Sequence, residues 1–481
     1  MASTEHSTKR ARTKIVSTLG PVSSSSEMIE KLILEGVDVF RINMAHGTRT
    51  EHQAVFERIR EVSETVGRPI AILVDLAGPK IRLGELFQDP KNCTLGEEIR
   101  FVAGKESNST SEFTTNYDSL IDELSLGDNV MLADGTVALE VVGIEDGEAL
   151  CEVTEGGTVR SRQGVNLPGV SLSVPAMTKR DHENAHWAAK AGVDFISLSF
   201  VRTPLEIVEL KQIVRDHASS AMVIAKIEKR EALQRLDEIV LAADGVMVAR
   251  GDLGVEIDVA ETPMAQKRII RKCQEYSKPV IVATQMLDSM HKSTRPTRAE
   301  ASDVANAILD GADACMLSGE TAIGDYPVES VAMMNRIMLN TESSLADMPE
   351  YASPKVAAGV QLVTSAVVYG AARIAARLEA KLVVIATRTG NTARIKAKQR
   401  DYIPTVGVSR NLSTLRQLCL FWGIIPLRGM PLDSGEELRT AVENWGRDQE
   451  LLTDGDYAVF VTSSTFGTLG HDELFVHQIE D

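Results

Sequence analysis

The chain has 481 residues, 43% of them hydrophobic and 25% charged, with a formal net charge of −17. That length predicts two to four domains around a large core, and the acidic balance excludes non-specific binding to nucleic acid. No apolar run reaches the length of a membrane span, MASTEHSTKRARTK lacks the apolar segment of an export signal, and five scattered cysteines without CxxC spacing indicate reduced thiols in the cytoplasm and no zinc site.

From residue 12 to about 345, eight apolar runs of strand length alternate with helical patterns. The runs are TKIVSTL, VDVFRIN, PIAILVDL, DFISLSF, MVIAKIE, GVMVAR, PVIVATQ and ADACMLSGE. Between them lie SEMIEKLILEG, TPLEIVELKQIVRDHA, KREALQRLDEIVLAA and RAEASDVANAILDG, whose apolar residues recur at helical spacing. Eight such units predict an α/β fold built on a closed (β/α)8 TIM barrel rather than an open doubly wound sheet.

One interruption follows the third run. Over residues 80–176 the helical period stops, and EEIRFVAG, NVMLADGTVALEVVGI and ALCEVTEGGTV alternate with Gly, Asp and Asn turns. This predicts a small all-β lid inserted in a βα loop. After MPEYASP, a linker with two prolines, come an Ala-rich helix over 355–378, the runs LVVIAT and PTVGVS, and the final strands YAVFVTS and ELFVHQI. They predict a separate three-layer α/β domain. The expected division is 1–79 and 177–345 for the barrel, 80–176 for the lid, and 346–481 for the C-terminal domain.

Polar residues gather at the C-terminal ends of the barrel runs: Arg41 and Asn43, Asp75, Lys226 and Glu228, Arg250, Thr284 and Gln285, Ser318 and Glu320. In a parallel barrel those ends form one rim, where such barrels place their chemistry. In MVIAKIEKR, Lys226 and Glu228 are two apart and share a face of a strand. Asp252 lies just past the end of the next run, in GVMVARGDLGVEI. Neighbouring strands are about 4.8 Å apart, so Glu228 and Asp252 can hold one divalent cation. Carboxylate oxygens with no nearby His or Cys favour magnesium or manganese. Arg41, Lys226 and Arg250 add positive charge for a small dianion. From these residues alone, the chemistry divides between phosphoryl transfer and aldol- or lyase-type enolate chemistry. A non-catalytic metabolite sensor on the same fold is a third reading.

The segments FRINMAHG, LVDLAGPKIRLG, GVNLPG, IAKIEKREAL, VMVARGDLGVEI, ATQMLDSM, RPTRAEASDVANAI and LSGETAIGDYPVESV together resemble the pyruvate kinases, in that family's order. The resemblance implies transfer of the phosphoryl group of phosphoenolpyruvate to ADP, giving pyruvate and ATP. It implies that Lys226 stabilises the migrating group, that Glu228 and Asp252 hold Mg2+ or Mn2+, and that Arg41 meets the substrate phosphate. The backbone of Gly251 and Asp252, with Thr284, would hold the carboxylate; Thr284, Ser318 and Glu320 would serve protonation of the enolate. Asn43, His46 and Arg82 match the nucleotide side. A cytoplasmic homotetramer is the expected assembly.

Four positions depart from the commonest family pattern: Ala45, Leu76, Lys80 and Gln163. The first three touch the family's potassium pocket, to which Asn43 and Asp75 still offer oxygens. Lys80 is expected to supply a tethered ammonium there, pairing with Asp75, so that potassium is not required. Gln163 replaces a lysine that often contacts the nucleotide. In the C-terminal domain, Thr387-Arg388-Thr389-Gly390-Asn391-Thr392 joins a strand to a helix. On the residues alone it fits an anion site or an ordinary helix cap equally. The resemblance implies a phosphorylated effector there, a sugar phosphate or a nucleoside monophosphate.

Overall fold

The computed structural model describes residues 10–170, 172–345, 362–462 and 473–480. The linker MPEYASP, the first part of the expected helix over 355–378, and the segment 463–472 lie outside them.

All eight expected barrel strands form: Lys14–Thr18, Val37–Asn43, Ala71–Asp75, Phe195–Leu198, Met222–Ile227, Gly245–Ala249, Val280–Ala283 and Ala314–Leu317. They pair in parallel and in chain order, and the last closes on the first. Their period of two explains the closure. Val16, Val39, Leu73, Phe195, Ile224, Met247, Ile281 and Met316, one from each strand, are buried together and fill the interior. Their neighbours along the strands, such as Ile15, Ile72, Ile196, Val223 and Val248, join the core under the surrounding helices. With both faces covered, these strands read as unbroken apolar runs rather than alternating ones.

The helices carry clear stop and start signals. Thr48 with Glu51, Thr178 with Asp181, and Thr297 with Glu300 form capping boxes, and Gly67 and Gly192 end helices in left-handed conformation. The segment expected as one helix over KREALQRLDEIVLAA is two, Arg230–Gln234 and Leu236–Ala242, which meet at Arg235.

Between the third and fourth strands the chain leaves the barrel. It builds a six-stranded sheet and a two-stranded ribbon over their own core, which includes Ile99, Phe101, Phe113, Leu139 and Val153. The C-terminal sheet runs in the order Ile424–Leu427, Thr405–Val408, Leu382–Ala386, Tyr457–Thr462 and Glu473–Gln478, with only the last strand antiparallel.

That domain docks at the N-terminal ends of the barrel strands. Asp313, fully buried just before the strand Ala314–Leu317, pairs with Lys398 and with Arg400 at 3.1 Å. Lys14 donates to the carbonyl of Ile424 at 2.8 Å. The C-terminal rim faces the other way and carries the site.

Candidate active site

Lys226 stands near the end of its strand, in the row of polar residues that the period of two turns toward the barrel axis. Its Nζ donates to Ser199 Oγ at 2.7 Å and lies 3.0 Å from Glu228 Oε1 and 3.4 Å from Asp75. Burial alone would lower its pKa, but Asp75 and Glu228 outweigh burial and raise it well above the usual lysine range. The ammonium is therefore permanently charged at neutral pH.

Asp75 is 2% exposed and fully engaged. Arg41 donates to Oδ2 through Nε at 2.8 Å and through Nη2, while the Ser197 hydroxyl donates to Oδ1 at 2.5 Å. Burial pushes its pKa up, and Lys226 and Arg41 more than reverse that, so it is ionised. Asn43 is its register partner on the adjacent strand, and its Oδ1 accepts from the N–H of Ala45 at 3.1 Å.

Glu228 is buried and accepts from the N–H of Phe200 at 2.6 Å. Its pKa is raised, first by burial and then, against the pull of Lys226, by the charge of Asp252. Two hard-oxygen carboxylates that repel one another in a partly buried setting fit a divalent cation. Among the described residues, no group of three or more His, Cys, Asp or Glu is arranged for a metal. A magnesium site with two protein carboxylates, completed by substrate oxygens and water, needs no third.

Lys80 does not meet Asp75 as expected. Its Nζ lies 3.5 Å from Asp252 Oδ1, because both Asp75 oxygens are already taken by Arg41, Ser197 and Lys226. The carbonyl of Leu76 is likewise occupied, by the hydroxyl of Ser199 at 2.7 Å.

Gly251 and Asp252 open the short helix Arg250–Glu256. The Gly251 N–H donates to Thr284 Oγ1 at 2.7 Å. Glu320, buried in the helix Gly319–Ala322, accepts from the N–H groups of Ser318 at 2.7 Å and Leu287 at 3.1 Å. His46 is exposed just beyond its strand. Arg82 stands in the lid stem and donates to the carbonyl of Arg162 at 3.1 Å, while the Gln163 side chain accepts from the N–H of Arg160 at 2.7 Å.

The loop 387–392 lies in the other domain. Thr387 and Thr392 are buried, Arg388, Thr389 and Asn391 are exposed, and Gly390 has φ 81°. Thr387 Oγ1 accepts from the N–H of Gly390 at 3.0 Å. Sequence reasoning missed Ser197, Ser199 and Asp303, which hold Asp75, Lys226 and Arg250. Their signal was faint: hydroxyls inside DFISLSF, and one acid on a helix.

Residues 10–331 match the family model for the pyruvate kinase barrel domain, and residues 365–476 that for the pyruvate kinase alpha/beta domain. The chain is 42% identical to a pyruvate kinase of Mycobacterium intracellulare over 97% of its length and 98% of the relative's. It is 41% identical to one of Corynebacterium glutamicum, covering 98% of each. A crystal structure of a pyruvate kinase from Cryptosporidium parvum superposes with a TM-score of 0.89 at 31% identity, over 99% of this chain and 98% of that one. Neither the aldolase or lyase reading nor the non-catalytic one is favoured by these matches. On family models that cover most of its length, and on relatives that match it nearly end to end, this chain belongs to the pyruvate kinase family.

Proposed function

We propose that the chain transfers the phosphoryl group of phosphoenolpyruvate to ADP at the barrel rim, with Lys226 as the central cation. The observation that carries this reading is a largely buried, charged ammonium held by Ser199, Glu228 and Asp75 within one hydrogen-bonded cluster that includes Arg41. Phosphoryl transfer is mostly a matter of alignment and charge neutralisation, and a rigid cation beside two metal-binding carboxylates serves both.

Arg41 faces the substrate phosphate, and Lys226 takes up charge as the phosphorus–oxygen bond breaks. Glu228 and Asp252 would hold Mg2+ or Mn2+, which supplies further neutralisation of phosphate oxygens. The backbone of Gly251 and Asp252, with the Thr284 hydroxyl, would hold the carboxylate once the Gly251 N–H leaves Thr284 Oγ1. The enolate is protonated on the side of Thr284, Ser318 and Glu320, where the two N–H groups bound to Glu320 keep that carboxylate fixed. Asn43, His46 and Arg82 contact the nucleotide, brought in as the lid closes.

Potassium is not required, because Lys80 brings its own positive charge to Asp252. Ala45 has no hydroxyl for the ion, and the Leu76 carbonyl already accepts one hydrogen bond, from Ser199. The exposed part of the loop 387–392 takes a phosphorylated effector, and the assembly is a homotetramer. Five free, buried cysteines support a reducing, cytoplasmic compartment. Among the described residues no helix is long and apolar enough to cross a membrane. A coupled assay with phosphoenolpyruvate, ADP and magnesium tests the reading directly. Absence of ADP-dependent pyruvate formation would overturn it.

A further inference from the structure

A second concave site lies on the opposite side of the barrel from the rim. It is an open cleft of about 500 Å³ where the helix Arg49–Val66, the ends of the helices Lys179–Ala191 and Pro204–Asp216, and the C-terminal-domain helix Leu412–Leu418 come together. That volume suits a small metabolite.

The wall carries Arg60, Lys190 and Arg416 and no carboxylate, in a chain whose net charge is −17. Arg60 is already committed. It pairs with Asp194 behind the wall at 2.8 Å and donates to the carbonyls of Ile70 and Gly192. Arg416 differs: among the described residues its guanidinium has neither a hydrogen bond nor an ion pair, although it is partly buried. Burial and then the nearby charge of Arg60 lower its pKa, only partly offset by Asp194 and Glu64. Lys190 is exposed and likewise lacks a partner among the described residues.

Two helices end at this pocket, and their negative ends would ordinarily repel an anion. Within their last turns, the carbonyls of Ala188, Ala189 and Val214 are already capped, by the N–H groups of Gly192, Val193 and Ser219. The free cations therefore set the sign. Ser219, Ser220 and Ser413 add hydroxyls to the same wall, and Ser219 Oγ accepts from the N–H of Ala221, which leaves its proton to donate. A planar guanidinium with free N–H groups, an ammonium and three hydroxyls around one cavity are the partners a phosphate group takes.

We infer that this pocket between barrel and C-terminal domain binds a phosphate monoester, with Arg416 and Lys190 on the phosphate and the serine hydroxyls completing its contacts. The site is separate from the loop 387–392. The helix Leu412–Leu418 stands between them, turning Ser413 and Arg416 to the pocket and Thr414 to the carbonyl of Arg388, which its hydroxyl meets at 2.8 Å. It is also independent of the rim chemistry.

The test is site-specific chemical protection of the full chain. Arginines are modified with phenylglyoxal, with and without inorganic phosphate or ribose 5-phosphate, and adducts are located by peptide mass spectrometry. Either probe should slow modification of Arg416, by about threefold at twice its dissociation constant from simple occupancy. The exposed Arg271 should be unaffected. Lys190→Gln should weaken the protection, and Arg388→Ala in the effector loop should leave it intact. Equal modification of Arg416 with and without both probes would overturn the site. Protection by succinate but by neither phosphate probe would overturn the ligand class. Loss of protection in Arg388→Ala would reassign the effect to the loop.

Discussion

Asp303 grips Arg250, whose Nη1 lies 2.7 Å from Oδ1 and 2.6 Å from Oδ2. The same guanidinium donates through Nη2 to the carbonyl of Thr284 at 2.7 Å. Thr284 and Gln285 both have left-handed backbone, with φ of 71° and 53°. A β-branched residue is strained there, so the turn that presents the Thr284 hydroxyl is held by its contacts. Asp303→Asn keeps the shape but weakens the clamp. We expect kcat/KM for phosphoenolpyruvate to fall about tenfold, the size of one charged hydrogen bond, with the melting temperature nearly unchanged. Wild-type kinetics in the variant would show that the turn holds itself.

Lys226→Met should lower kcat by a factor on the order of 10²–10³ with little change in KM, since the ammonium counts most as charge shifts in transfer. Steady-state kinetics with both substrates saturating provide the measurement. A raised KM at near-normal turnover would assign Lys226 to binding alone.

Activity with magnesium should be complete in potassium-free buffer at constant ionic strength. Lys80→Glu removes the ammonium beside Asp252 and should lower that activity, part of it recoverable with added potassium. A several-fold stimulation of the wild type by potassium would contradict the substitution of ammonium for ion.

In the C-terminal domain, an Arg388→Ala, Thr389→Ala double variant should lose activation by sugar phosphates or nucleoside monophosphates while keeping its basal rate. Initial rates at subsaturating phosphoenolpyruvate with each effector decide. Identical responses in variant and wild type would remove the loop as the effector site.

Lys278 gives a pH signature. It donates to the carbonyls of Leu241 and Ala243, and burial, then Arg394, pushes its pKa down to about 8. The unfolded chain, with an ordinary lysine pKa, binds the proton more tightly. Folding therefore releases it between about pH 8 and 10.5, and this residue's contribution to stability rises with pH across that window. The difference in unfolding free energy between wild type and Lys278→Met should shift in favour of the wild type by up to roughly 3 kcal/mol, at about 1.4 kcal/mol per pKa unit. Denaturant titrations at the two ends of the window measure it. A pH-independent difference would show that the ammonium is not desolvated.

The barrel was legible because strands covered on both faces, such as Ala71–Asp75 and Gly245–Ala249, must be apolar throughout, and their polar ends then stand out. Lys226, Glu228 and Asp252 could be grouped because they sit at the ends of neighbouring strands, although Glu228 lies one residue past its strand and Asp252 in the short helix after the next. The target of Lys80 could not, because a spacing of five residues from Asp75 fixes proximity along the chain but not where a long flexible side chain points. Ser197 and Ser199 were invisible for a different reason: a serine in a buried strand has the same period whether or not it holds an active-site ion. In the last domain, the strand Ile424–Leu427 is four residues long and includes a proline, and the helix Gly435–Asp448 buries only Leu438, Val442 and Gly446. Signals that thin do not rise above the surrounding loops.

Asp313 bears on how this molecule could be taken apart. Its carboxylate sits at the foot of the strand that leads to Ser318 and Glu320, sealed from water and, among the described residues, paired with the cations of Lys398 and Arg400 of the neighbouring domain. A barrel cut free after residue 345 would keep the acid and lose both bases. Anyone transplanting the barrel as a stand-alone scaffold must therefore redesign that base, for example with Asp313→Asn, before the excised unit can be expected to stay soluble and folded.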